Sequence, residues 1–295
     1  MKHTLAATML LTLLCLAQSS PRANAQNADS RGEAAHMSPS EATWAPAFSE
    51  VRHGDECVIY NPVGAIKSYQ KALKLFPHFY NANIGLGTAC VSVGRYSEAV
   101  SAFEEVYSDP TLGKLELASQ PDTLMTYVIA LCQTGRTVEA LPIARRAMQK
   151  QGASYPKHLS VPLPDISSDM SKEPGLSSLL QAIAHVVIAA DWKPVFHSSS
   201  PAVCDESLTQ VTHTEAATKL LPRAGWTHYY LASMLLNHNP HAGTPFENDP
   251  LLAPNLDDRR RARAELLLAA GSGEANVQDV SQKMLSNRSL FGDAE

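Results

Sequence analysis

Aromatic residues are scarce in this 295-residue sequence: Phe, Trp and Tyr together make up 6%. With Ala, Leu and Ser abundant, that scarcity argues against a β-sandwich and for helices packed through small side chains. Long basic runs are absent, and the formal net charge is −5 at pH 7, so nucleic acid is not an expected partner. The sequence has no Gly-rich phosphate loop, no GxSxG, no HExxH, and neither CxxC nor CxxCH. The usual signatures of phosphate-loop enzymes, α/β-hydrolases, zinc proteases, thiol redox proteins and haem attachment are thereby missing. After the N-terminal segment, no apolar run is long enough for a transmembrane helix.

What is present starts with the N-terminus. Lys2 and His3 precede an apolar run over residues 5–16, followed by Ala23-Asn24-Ala25. This is the pattern of a secretory signal peptide over residues 1–25, with cleavage before Gln26, and the apolar run is too short for a membrane span. Cys15 lies inside the run behind Leu14, so lipidation is not expected. The expected location is the periplasm or the cell exterior. Residues 26–43 are polar and aperiodic, an expected disordered lead-in.

From Pro62 the pattern turns helical. Ala65, Tyr69, Ala72, Leu73 and Leu75 place apolar groups at helical spacing, and Pro77 ends the helix. A second helix is expected over 81–93, ended by Gly94, and a third over 97–107, ended by Asp109-Pro110. Ala65 and Ala99, Tyr69 and Phe103, and Ala72 and Val106 are each 34 residues apart. Leu86-Gly87 and Gly94-Arg95-Tyr96 lie between them. Small Gly87 and Ala99 permit close helix approach, Phe103 fills the space beyond, and Gly94 suits a helix C-cap. One helix pair of this size cannot bury its own apolar face, so such units must stack. A further unit has Leu124, Tyr127, Val128 and Leu131, then Gly135-Arg136, then Ala140, Ala144 and Ala147. Gly135 follows Gly94 by 41 residues, about seven more than one period, which assigns extra length to the 111–121 connection. Pro142 is expected in the first turn of the last helix of this unit.

The period and these residues resemble the tetratricopeptide repeat (TPR) family. Residues 80–113 resemble one complete repeat, and 62–79 the second helix of the repeat before it. That earlier repeat's own first helix, near 47–59, has Arg52-His53-Gly54 where the family has Leu-Gly, as a degenerate capping unit would. Ala65, Tyr69, Ala72, Pro77, Leu86, Gly87, Gly94, Tyr96, Ala99, Phe103, Gly135 and Ala140 occupy the family's structural positions. The resemblance implies an all-α, right-handed superhelical stack. Its expected parts are a TPR domain over 44–150 (with a third unit at 121–150), a Pro-containing linker at 151–173, and a divergent TPR-like helical region at 174–295. Helical signal in that last region lies at 176–187, 215–221, 226–236, 262–269 and 276–285.

In this family the concave face binds ligands. Carried over position by position, it comprises Asn81, Ile84, Thr88, Val91 and Ser92, then Asp122, Met125, Ile129, Cys132 and Gln133. Ile84 and Met125 stand where chaperone-binding members have a basic residue, and Thr88 and Ile129 where they have asparagine, so a chaperone-tail carboxylate is not the expected ligand. The resemblance implies an apolar groove, open to an amphipathic helix or apolar peptide or filled by the chain's own C-terminal half. The expected function is a non-enzymatic scaffold or adaptor of the cell envelope that binds a protein or peptide, without cofactor or metal. Self-association through the same apolar face is a further option. Cys57, Cys90 and Cys132 fall at nearly equivalent places on successive first helices. Mostly buried free thiols are expected, with Cys57–Cys90 the best-placed pair should one bond form.

The enzyme-class alternative is a metal-dependent enzyme or metal-binding protein built on the 237–255 loop. His238-Asn239-Pro240-His241 lies there, with His228, Glu247 and Asp249 near in sequence. Pro240 keeps the two loop histidines off a common helical face, so a polar loop with incidental histidines is the plainer account. His185, in an apolar helical stretch, reads as a satisfied core histidine. Glu104-Glu105, Asp257-Asp258 and the arginines 259, 260, 261 and 263 read as solvated helix faces or helix starts.

Overall fold

The computed structural model describes residues 41–58, 60–115, 117–151, 161–191, 206–237 and 256–291. The described residues form eleven α-helices, short 3-10 turns and no strand. The helices are α1 (Glu41–Cys57), α2 (Pro62–Leu75), α3 (Tyr80–Ser92), α4 (Tyr96–Tyr107), α5 (Pro121–Gln133) and α6 (Thr137–Gln151). After these come α7 (Leu176–Asp191), α8 (Glu206–Leu220), α9 (Gly225–Asn237), α10 (Leu256–Ala270) and α11 (Ala275–Ser286).

Every helix packs against the next one along the chain. In addition, α1 touches α3, α3 touches α5, α5 touches α7, α7 touches α9 and α9 touches α11. The odd-numbered helices thus make one continuous row. One apolar core follows it, from Ala47 in α1 to Phe291 beyond α11. Within that row α5 is the most enclosed, its residues 123–132 all being buried, as a helix apolar on every side should be.

Local chemistry explains the boundaries. The Asn61 side chain accepts a 3.0 Å hydrogen bond from the Gly64 N–H, and Pro62 opens α2 where its missing N–H costs nothing. Phe76 caps α2 just before Pro77, and His78 turns the chain with φ 65°. At the end of α3 the Gly94 N–H donates to the Val91 carbonyl and the Arg95 N–H to the Cys90 carbonyl. At the end of α5, Gly135 and Arg136 donate in the same way to Cys132 and Leu131. Both are Schellman closures, and the two glycines have φ 75° and 79°, in the left-handed region.

Several expectations are corrected. Helix α1 starts at Glu41, so residues 41–43 belong to it rather than to the lead-in. Pro142 lies past the first turn of α6, which starts at Thr137. Helix α8 begins at Glu206, nine residues before the expected start at 215. Its first half is polar, but Val211, Thr214 and Ala217 are buried on one side, and the Thr214 hydroxyl donates to the Gln210 carbonyl at 3.0 Å. Of the segment expected as a linker, Gln151 ends α6 and residues 161–173 are also described. They place Val161 and Ile166 in the core, and the Tyr230 hydroxyl donates to the Val161 carbonyl at 2.6 Å. The expected signal peptide and residues 26–40 of the expected lead-in lie outside the described residues.

Candidate functional site

The candidate surface belongs to α3 and α5, and their positions depend on glycines set against aromatic rings. Tyr69 of α2 is fully enclosed, and its hydroxyl donates to Asp55 Oδ1 at 2.7 Å. A Cβ added at Gly54 of α1 would lie 2.6 Å from the Tyr69 ring, and one at Gly85 of α3 would lie 2.4 Å away. Tyr69 therefore fixes how close α1 and α3 come to α2. Gly54, in the stretch that departs from the family pattern, supplies the small residue needed there. Phe103 of α4 repeats the device on Gly87 of α3, where an added Cβ would come within 2.8 Å of the ring. Phe103 also lies 5.1 Å, centroid to centroid, from Tyr127 of α5, and Tyr127 stacks on Tyr107 at 5.2 Å.

The other repeat positions fall as follows. Ala65, Ala72, Ala99 and Ala140 are fully buried at helix contacts, Leu86 and Tyr96 are half-buried, and Pro77 is exposed in its turn. An Arg–Glu pair follows each of the two glycine turns at the surface. The Arg95 Nε–H donates to Glu98 at 2.7 Å, and Arg136 bonds Glu139 in the same way at 2.8 Å. Arg136 also reaches back to Glu104 of α4 at 2.7 Å.

The expected groove changes character in three dimensions. Ile84 is 4% exposed, Met125 0% and Ile129 5%, so the apolar positions offer no open surface. Ile84 sits in a small cluster with Tyr80, Val106 and Ala118, backed by Leu112, Leu115 and Leu117. The added length of the 111–121 connection thus folds over Ile84. It is held there by the Tyr107 hydroxyl donating to the Ala118 carbonyl at 2.6 Å and by Arg146 donating to the Gly113 carbonyl at 2.7 Å. Met125 and Ile129 are enclosed because α5 packs on α3, α4, α6 and α7. The apolar groove is therefore filled by the chain itself.

What reaches the surface is polar apart from Val91. Ser92 and Gln133 are exposed; Asn81, Thr88, Val91 and Asp122 are half-buried. The Ser92 hydroxyl donates to the Thr88 carbonyl, and the Gln133 amide to Gln181 Oε1 on α7 at 2.6 Å. Asn81 Oδ1 is shielded from solvent with no hydrogen-bond partner. Asp122 Oδ1 accepts from the Thr123 N–H at 2.7 Å, at the start of α5.

Cys57, Cys90 and Cys132 are buried free thiols. Burial pushes Cys90 and Cys132 up to about 11, so neither is a ready nucleophile at neutral pH. Cys204 and the loop candidates His238, His241, Glu247 and Asp249 lie outside the described residues. His228 is committed elsewhere: its Nδ1 meets Glu265 at 2.5 Å and its Nε2 the Pro222 carbonyl at 3.0 Å. Two acceptors call for both ring N–H groups, and the hydrogen bond with Glu265 raises the His228 pKa. His185 has a partner that the sequence did not reveal: its Nδ1 lies 2.9 Å from Nδ1 of His213 on α8. Among the described residues, no group of three or more His, Cys, Asp or Glu is arranged to hold a metal, and no helix is long and apolar enough to cross a membrane.

Compared with known proteins, the chain matches no protein-family model and no curated protein.

Proposed function

We propose that this chain is an exported, TPR-like scaffold, a right-handed superhelical stack that binds a protein or peptide without catalysing a reaction. The observation that carries this is the continuous row of odd-numbered helices, since a row of first helices is what a stack of helical hairpins would present to a ligand. The two Schellman turns, each followed by an Arg–Glu pair, support a recurring unit. The glycine–aromatic contacts at Tyr69 and Phe103, 34 residues apart, support it too. Because Ile84, Met125 and Ile129 are buried, recognition is assigned to the polar rim of Asn81, Thr88, Ser92, Asp122 and Gln133, which favours a ligand held by hydrogen bonds over an amphipathic helix.

The test is affinity capture from the native envelope with mature protein, alongside a Thr88→Arg, Ser92→Arg, Gln133→Arg variant whose fold is checked by circular dichroism. A partner that is retained by the parent and lost by the variant supports the proposal. Equal retention by both would rule out this surface. Mass spectrometry of the purified protein tests export directly, with an N-terminus at Gln26 as the expected result.

A further inference from the structure

The outward face of α10 carries chemistry that the fold does not consume. This helix rests on α9 and α11 and buries Asp258, Ala262, Leu266 and Ala269. At helical spacing, Leu256, Arg260, Arg263, Ala264, Leu267 and Leu268 fall on the other side. Leu256 is 44% exposed, Leu267 58% and Leu268 56%. Single exposed leucines are ordinary, but among the described residues no other helix exposes two adjacent large apolar side chains.

The same helix is rich in arginine, at positions 259, 260, 261 and 263, in a chain whose net charge is −5. Arg261, at one edge of the face, is committed to Glu215 of α8 at 2.5 Å. Arg260 meets Asp257 only at 3.6 Å, both side chains being largely exposed, and water weakens such a pair. No described residue pairs with Arg263. Asp257 lies at the start of the helix, almost three turns from the leucine pair. Along the axis, Arg263 is about 6 Å and Arg260 about 10 Å from Leu267.

A partner for this face has to take two leucines out of water and offer negative charge within reach of two arginines. An anionic lipid layer does both, because its phosphates lie just above the start of its hydrocarbon. Arginine stems lie along apolar surface while their guanidinium groups reach the phosphates, which they grip through two parallel hydrogen bonds. Shape selects in the same direction: the outer ridge of one helix suits a flat, soft surface, whereas a partner helix needs a groove. Because the chain as a whole is negative, attraction to such a surface depends on this local face and not on overall charge.

We propose that the outward face of α10 docks this protein on an anionic lipid surface, with Leu267 and Leu268 entering the boundary between headgroups and acyl chains and Arg260 and Arg263 holding lipid phosphates. With so few apolar side chains inserted, the contact is peripheral and reversible. It lies on a different helix from the rim of α3 and α5, so lipid binding is independent of ligand binding there.

The experiment is vesicle co-sedimentation of the chain from Gln26 onward, which keeps every described helix and removes the apolar run at residues 5–16, itself able to bind lipid. The vesicles are phosphatidylcholine alone, or phosphatidylcholine and phosphatidylglycerol in equal parts. The parent should bind the mixed vesicles at least about 10-fold more tightly than phosphatidylcholine alone, and high salt should shrink that difference. A Leu267→Gln, Leu268→Gln variant and an Arg260→Gln, Arg263→Gln variant should each bind the mixed vesicles about 10-fold more weakly. Val138→Gln, at an exposed position on α6, should leave binding unchanged. All three are surface changes, and circular dichroism checks their helix content. No binding to mixed vesicles, binding indifferent to phosphatidylglycerol, or undiminished binding in either double variant would each overturn the proposal. So would capture of a soluble acidic protein through this face with the vesicles left unbound.

Discussion

The two halves of this molecule weight the contacts between their helices differently. From α1 to α6 the helix spacing is governed by size: Tyr69 fits against Gly54 and Gly85, and Phe103 against Gly87. From α7 to α11 polar contacts tie the helices across the same kind of interface. His185 meets His213, His228 meets Glu265, the Gly225 N–H donates to Glu274 at 2.6 Å, and Arg261 reaches Glu215. Apolar fit is insensitive to pH and fails by clash or cavity. Hydrogen-bonded pairs that include histidine depend on where the proton is. The N-terminal half should therefore respond to changes in side-chain volume, and the C-terminal half to pH.

The sharpest way to break this contrast is Phe103→Ala. It empties a fully buried site and should cost about 3–5 kcal/mol, read by urea unfolding at any pH where the protein is folded. Gly87→Ala should cost about 1–3 kcal/mol, because the enclosed ring has nowhere to move. A loss that varies strongly with pH would refute the apolar account of this half.

The C-terminal half should show two pH effects of opposite sign. Removing the Glu265 charge with Glu265→Gln should cost about 1–3 kcal/mol under mildly acid conditions. The His228 pKa is raised, so its contribution is complete below the ordinary histidine value and fades as pH rises through the folded value. The difference between parent and variant should shrink toward alkaline pH, and a constant difference would contradict the charged pairing. His185 and His213 act in reverse. Their folded values, about 3 and about 4, lie below the ordinary 6.5, so acid removes stability from near pH 6.5 downward. A His185→Gln, His213→Gln variant should flatten that acid limb in a pH series of denaturant melts.

Smaller effects belong to the turns and the surface. Gly94→Ala and Gly135→Ala force a Cβ into left-handed backbone and should each cost about 1–2 kcal/mol. Arg95→Ala removes only an exposed ion pair and should change stability by less than about 1 kcal/mol. A larger loss at Arg95 than at Gly94 would contradict the assignment of the turn's stability to the Schellman closure.

Legibility followed the same division. The helix pattern at 62–110 was readable because alanine, aromatic and glycine positions recur at a fixed spacing, and Gly94 and Gly135 carry the backbone sign expected of a C-cap. Gly54 could not be read as part of that pattern, since its role appears only once the Tyr69 ring lies against it. The first half of α8 was missed because its Ser, Thr and Gln residues weaken the apolar period that marks a helix. His213 gave no signal at all, because its partner comes from another helix 28 residues away.

The sequence by itself determined that the described residues are helical and where most of their helices start and stop. Those properties follow from contacts between near neighbours and from the repeat period. Only the tertiary structure decided that the 111–121 connection covers Ile84, that α5 is enclosed on every side, and that His185 meets His213. Burial and side-chain pairing depend on which distant segments arrive at the same place, and no spacing along a single chain encodes that.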